Sequence, residues 1–220
     1  QSFMSARFTS CLIVLFIISS CCREDCANTF IIEGVVSEQS TNLPCIGFEI
    51  ELQEQILENG VLNGFFETAG ETTTDESGFF SISFPRKNAL EYKLQVTSEG
   101  WFAIFENIDP EDFTPDIPIH LDLEATPKAQ LKIKIINSFP SYKNDKVRIR
   151  MLGDFGQLTD CGNDWFVFEG PNVNDEINCS LPGDNWMPYL FINQSYEDDV
   201  EVVDSVFCEA FETTVLELNY

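Results

Sequence analysis

Apolar and polar residues alternate with a period of two along most of this chain. Between residues 47 and 52, Phe48, Ile50 and Leu52 point one way, while Glu49 and Glu51 point the other. That is a strand with one wet face. Phe80, Ile82 and Phe84 alternate with serines in the same manner, and Leu131-Lys132-Ile133-Lys134-Ile135 repeats the pattern. Residues 29–36, 91–97, 101–106 and 117–123 predict further strands in the first half. Residues 147–152, 165–169, 176–181, 188–193, 200–206 and 213–219 predict them in the second. Asp75 can bond its own downstream backbone and Gly78 can take a positive φ, so 75–78 is a turn. Residues 55–67 read as a longer hairpin connection, and Gly183-Asp184-Asn185-Trp186 as a loop. No helical period lasts more than a turn or two. A short join around Pro127 divides the pattern. The prediction is all-β: two consecutive β-sandwich domains of Greek-key, transthyretin- or Ig-like build, at 29–125 and 128–220.

One stretch breaks the alternation. Arg7 precedes an apolar run at 11–18, then Ser19-Ser20 and two cysteines. Eight apolar residues are too few to span a bilayer, which takes about 20. The layout is that of a secretory signal, with Met4 as the start residue. Ile18-Ser19-Ser20-Cys21 resembles the lipobox of bacterial lipoproteins. That resemblance implies cleavage after Ser20, a lipid-anchored Cys21 and a tether at 21–28. Cys22 is the weaker acceptor, because its minus-three position is Ser19. Two or more acyl chains then hold the protein on a membrane where one does not. Cys22-Arg23-Glu24-Asp25 is similar to the acidic tract that directs some lipoproteins to the outer face of the outer membrane; an ordinary charged tether reads the same way.

Composition narrows the partners. The formal net charge is −25, which repels phosphates and excludes nucleic acid. It also repels anionic headgroups, so any membrane link falls to lipid on Cys21. A hydrophobic fraction of 44% with 20 Phe is enough to build cores despite that acidity. Outside the cytoplasm, Cys22, Cys26, Cys45, Cys161, Cys179 and Cys208 are free to form disulfides. Their fifteen pairings stay open, with Cys26–Cys45 and one pair among Cys161, Cys179 and Cys208 preferred. Without a C-x-x-C pair, and with a single distant histidine, structural zinc is not expected.

Gly34-Val35-Val36, then Pro44 and 47–52, then Thr74-Asp75-Glu76-Ser77-Gly78-Phe79-Phe80 resemble the carboxypeptidase regulatory-like domain. The likeness covers about residues 29–84. It implies a seven-stranded, transthyretin-like Greek-key sandwich with no catalytic residue of its own. Ser37 departs from it where an Asp is usual. The second half resembles no family that its residues make recognisable.

Candidate chemistry is sparse. His120 alternates with apolar residues and so lies on the polar side of a strand. There is no nucleophile elbow, zinc-protease motif, P-loop or dinucleotide fingerprint, and no enzymatic activity is expected. Asp109, Asp112, Asp116, Asp198 and Asp199 carry the oxygens that calcium takes, but without regular ligand spacing; solvated loops are the alternative. Trp101, Trp165 and Trp186 are the residues for stacking on a sugar ring, and core or interface packing is the competing role. The expected function is a non-enzymatic outer-membrane lipoprotein that binds or scaffolds a protein partner. A surface glycan-binding lipoprotein serving carbohydrate uptake is the alternative.

Overall fold

The computed structural model describes residues 29–58, 61–62, 64–141, 145–195 and 199–220. Cys21, Cys22, Cys26 and Asp198 lie outside them. Among the described residues fifteen strands fall into two sets, each around its own hydrophobic cluster.

The first set comprises β1 (Thr29–Glu38), β2 (Glu49–Glu58), β3 (Val61–Leu62), β4 (Glu67–Thr73), β5 (Phe79–Pro85), β6 (Ala89–Thr97), β7 (Ile104–Ile108) and β8 (Ile119–Ala125). One sheet runs β5-β1-β8 and the other has β2 at its centre, between β4 and β6, with β7 beyond β6. The alternation explains why the two sheets close on each other. Ile32, Ile50, Leu52, Phe80, Phe84, Tyr92 and Leu94 are buried between them, while Glu49, Glu51 and Gln95 face outward along a shallow acidic groove. The Asp75–Gly78 turn forms as its residues dictate. The Asp75 carboxylate accepts from Ser77 N at 2.8 Å and Phe79 N at 3.0 Å, and Gly78 sits at φ 75°.

The second set comprises β9 (Lys128–Ile136), β10 (Lys146–Met151), β11 (Phe166–Glu169), β12 (Asn174–Pro182), β13 (Asn185–Asn193), β14 (Val200–Cys208) and β15 (Thr213–Asn219). Its sheets are β12-β9-β15 and β11-β10-β13-β14. The connectivity repeats that of the first set. In each, the opening strand (β1 or β9) is central, antiparallel to the fourth main strand (β5 or β12) and parallel to the last (β8 or β15). The other four form the facing sheet in the same order, β4-β2-β6-β7 against β11-β10-β13-β14. The seven-strand arrangement implied for the first half therefore occurs twice.

The structure revises several strands. β2 continues to Glu58, through residues read as a connection, and the polar β4 returns beside it. Trp186 is not in a loop: Gly183-Asp184 alone turns the chain, with Asp184 at φ 55°, and β13 already includes Asn185 and Trp186. A two-residue turn suffices to reverse an antiparallel pair. The only helical turns among the described residues are short 3-10 pieces, Pro110–Asp112 and Gly156–Leu158.

The join is short and tied on both sides. β8 ends at Ala125 and β9 begins at Lys128. Phe102 N donates to Thr126 O at 3.0 Å, Gly183 N to Pro127 O at 2.8 Å, and Phe211 N to Lys128 O at 2.7 Å.

Candidate functional site

Strand register defines the outer surface of the β11-β10-β13-β14 sheet. Val147, Ile149, Met151, Met187, Tyr189 and Phe191 turn into the second core. The residues between them turn outward. One outward row is Val167, Arg148, Ile192 and Glu201, in which Ile192 is itself only 4% exposed; the next is Arg150, Leu190 and Val203, with Trp165 just before β11 at its end. Pro188 stands opposite Ser205, and Trp186 opposite Phe207. In most sandwiches such a surface is polar. Here Trp186 is 60% exposed and Val203 71%, and Leu152, Val167, Trp165 and Phe207 are exposed beside them. The equivalent surface of the first sandwich presents Glu49, Glu51, Glu71 and Gln95. A contiguous exposed apolar surface of this kind marks an interaction site.

Two arginines of β10 stand within it. The Arg148 guanidinium lies over the Trp165 ring, 4.9 Å from its centroid, and its buried Nε has no hydrogen-bond partner. Arg150 donates from Nε to Asn163 O at 2.7 Å. Lys146, the third cation of the strand, is paired with Glu169 at 2.6 Å. In a chain carrying 37 acids and 12 cations, this placement gives the surface a local positive strip.

The three tryptophans have different roles. Trp101 is packed between Phe48 of the first core (5.1 Å) and Phe211 of the second sandwich (5.2 Å), so it belongs to the junction. Trp165 carries Arg148. Trp186 is open, but its ring meets Phe207 at 57°. The glycan alternative asks for coplanar rings near Trp186, and this pair does not form a flat platform.

The cysteines among the described residues resolve into one bond and two thiols. Cys161 is disulfide-bonded to Cys179, tying the segment before β11 to β12. Cys45 and Cys208 are buried free thiols; the preferred Cys26–Cys45 pair involves Cys26, which lies outside the described residues. Burial, with Glu38 nearby, pushes the Cys45 thiol up to about 11. Its place is structural: the Thr74 hydroxyl donates to Cys45 O at 2.6 Å and accepts from Phe48 N at 2.9 Å. Burial also raises the Cys208 thiol.

The acidic positions are occupied locally. Asp109 accepts from Glu111 N at 2.9 Å and caps the Pro110–Asp112 turn. Asp116 sits at φ 60° in a tight turn. Asp199 accepts from Gln194 Nε2 at 2.9 Å. The one convergent group of potential ligand atoms among the described residues is Asp160 with Cys161 and Cys179. There the disulfide consumes both sulfurs, and metal ligation needs thiolate. His120 is exposed on β8, 3.3 Å from the Asp122 carboxylate and 3.9 Å from Glu33. At the junction, an open cleft of about 410 Å³ is lined by Gln39, Thr126, Phe155, Asp184 and Asn185, among others. Asp184 there accepts from Ala210 N at 3.1 Å and forms the turn into β13 at φ 55°.

No family model matches the chain. A stretch of 122 residues, 53% of the chain, is 25% identical to a nonribosomal peptide synthetase of Lecanicillium sp, of which it spans 1%. Among solved structures the fold is similar to the Bacillus anthracis TIE protein, with TM-score 0.37 and 11% identity over 87% of this chain and 34% of that one. It is also similar to a Streptococcal ancillary pilin, with TM-score 0.36 and 11% identity over 87% and 62%. Likeness at this level carries no functional inference.

Proposed function

We propose that the chain is a non-enzymatic docking or scaffolding module, held outside a bacterial cell by lipid on Cys21. The observation that carries the docking part is the outer surface of β11-β10-β13-β14. It is largely apolar and bears arginines, where the same surface of the topologically identical first sandwich is mostly acidic and polar, with Phe105 under Lys93 as its exposed apolar group. Fold and charge do not ask for that difference; a bound partner does. The anchor rests on the resemblance of Ile18-Ser19-Ser20-Cys21 to a lipobox, at the outer membrane by the same likeness.

Cells expressing the chain with a radiolabelled fatty-acid precursor test the anchor. Wild type is expected to carry label and Cys21→Ala none; an unlabelled wild type removes the membrane from the proposal. A photo-crosslinking residue placed at Val203 tests the docking surface. Adducts are expected there, and not from Glu51 on the first sandwich.

The exposed Trp186 keeps a second reading in view, a surface lipoprotein that binds glycan for carbohydrate uptake. Affinity gels cast with a polysaccharide panel decide it: retardation abolished by Trp186→Ala supports glycan binding, and free migration on every gel ends it. Calcium at Asp109, Asp112, Asp116, Asp198 and Asp199 is tested by titrating melting temperature with calcium and then with a chelator.

A further inference from the structure

We infer that the occupant of the open β11-β10-β13-β14 surface is a second copy of this chain, related to the first by a two-fold axis running along β13. Strand register lays Arg148, Ile192 and Glu201 in one line across β10, β13 and β14. The line reads cation, apolar, anion, with β13 in the middle. Two strand spacings, about 10 Å, separate the charged ends, which is too far for them to pair within the chain. Neither Arg148 nor Glu201 has an ion pair among the described residues.

A surface that binds its own copy about a two-fold must be self-complementary: residue i meets j, and j meets i. An axis lying between the surfaces along β13 exchanges β10 with β14. It sets Arg148 on the partner's Glu201 and Glu201 on the partner's Arg148. Along the axis itself Leu190 meets the partner's Leu190, so apolar groups fill the centre and both charge pairs flank it. Had both strands carried the same sign, the operation would have stacked like charges instead. In the next line Arg150 meets the uncharged Val203, which adds neither a like-charge contact nor a further pair. Sheets packed in this way lie about 10 Å apart, a distance that the large side chains of this surface fill.

The inference rests on the docking reading above, and the experiment separates the two. The protein is a chain beginning at Thr29, since both cores are built from residues beyond that point. Sedimentation equilibrium up to about 100 µM is expected to show twice the monomer mass for wild type. Arg148→Glu and Glu201→Arg are each expected to weaken association at least tenfold. The double variant Arg148→Glu/Glu201→Arg is expected to recover most of it, because the swap restores both pairs. Circular dichroism checks that each variant is folded. A wild type that remains monomeric throughout overturns the dimer, and so does a double variant no tighter than the singles. The Val203 crosslinker then distinguishes the readings. An adduct of doubled mass supports the second copy; an adduct of any other mass keeps the docking surface and overturns this occupant; no adduct overturns both.

Discussion

Gly34 stands where β1 meets β8, opposite Leu121 in a parallel pair. A Cβ built on it falls 1.9 Å from the Leu121 carbonyl oxygen and 3.1 Å from a Phe80 ring carbon. The nearest clash is with backbone, so no rotamer change relieves it. Ordinary contact begins near 3.4 Å, which means that Gly34→Ala must open the two strands by about 1.5 Å. Ladder hydrogen bonds stretched by that much are effectively lost. Two of them cost about 2 kcal/mol, and displaced core packing adds about 1–3 kcal/mol. Alanine returns about 0.5–1 kcal/mol in backbone entropy. The net expectation is a loss of about 3 kcal/mol, confined to the first sandwich. Urea unfolding followed by far-ultraviolet circular dichroism measures it. With a slope of about 2 kcal/mol/M, the midpoint of the first transition drops by about 1.5 M. Gly64→Ala, whose Cβ meets nothing within 4 Å, is the control and is expected to match wild type. If Gly34→Ala stays within about 0.5 kcal/mol of wild type, β1 and β8 do not pair as described, and the shared connectivity of the two sandwiches fails with them.

Reduction of Cys161–Cys179 releases a loop of sequence separation 18; the second sandwich is expected to lose about 3 kcal/mol, read as a lower melting temperature in reductant that Cys161→Ser/Cys179→Ser reproduces. Cys45, with its thiol at about 11, is expected to resist iodoacetamide at pH 8 until urea unfolds the chain. Its folded-state value lies above the unfolded one near 9, so its contribution is intact below pH 9 and lost as pH rises through about 11; alkaline melts of wild type and Cys45→Ala compare the two slopes. Asp75 is held below the ordinary carboxyl value, chiefly by the Ser77 hydroxyl and then by the Ser77 and Phe79 amides. Its contribution is therefore present above the ordinary value and lost as pH falls below it, and the difference in melting temperature between wild type and Asp75→Ala is expected to shrink in acid.

Where one strand face is apolar and the other charged, the sequence alone was enough to orient the strand. Phe48, Ile50 and Leu52 turned inward because Glu49 and Glu51 could not. The Asp75–Gly78 turn was legible for a local reason: a side chain bonding its own backbone needs no distant partner. β4 was not legible, since Glu67-Thr-Ala-Gly-Glu-Thr-Thr has no apolar period. Its place is set by the neighbouring β2 and by Gly70, where a Cβ would strike the Ile82 side chain at 2.5 Å. The repeated connectivity was hidden because it lies in which strands pair, not in how any one of them alternates. Trp186 was misplaced because glycine, aspartate and asparagine together suggest a loop, whereas two residues complete the turn.

β13 escaped orientation for a different reason, and that reason bears on function. Met187, Tyr189 and Phe191 alternate with Pro188, Leu190 and Ile192, preceded by Trp186. Both faces are apolar, so a period of two carries no sign. Its counterpart β6 reads plainly, with Tyr92, Leu94 and Val96 inward and Glu91, Lys93 and Gln95 outward. Strands apolar on both faces are the mark of a sheet covered on both sides. A two-layer sandwich covers one side only. β13 is thus apolar toward both sides although the described strands of its sandwich form only two layers, and the second copy inferred above would add a third. The flanking strands restrict what that molecule is: β10 brings cations to one side of β13 and β14 an anion to the other, an arrangement that a uniformly charged partner would meet with repulsion on one flank. A copy turned about β13 meets both flanks with the opposite sign.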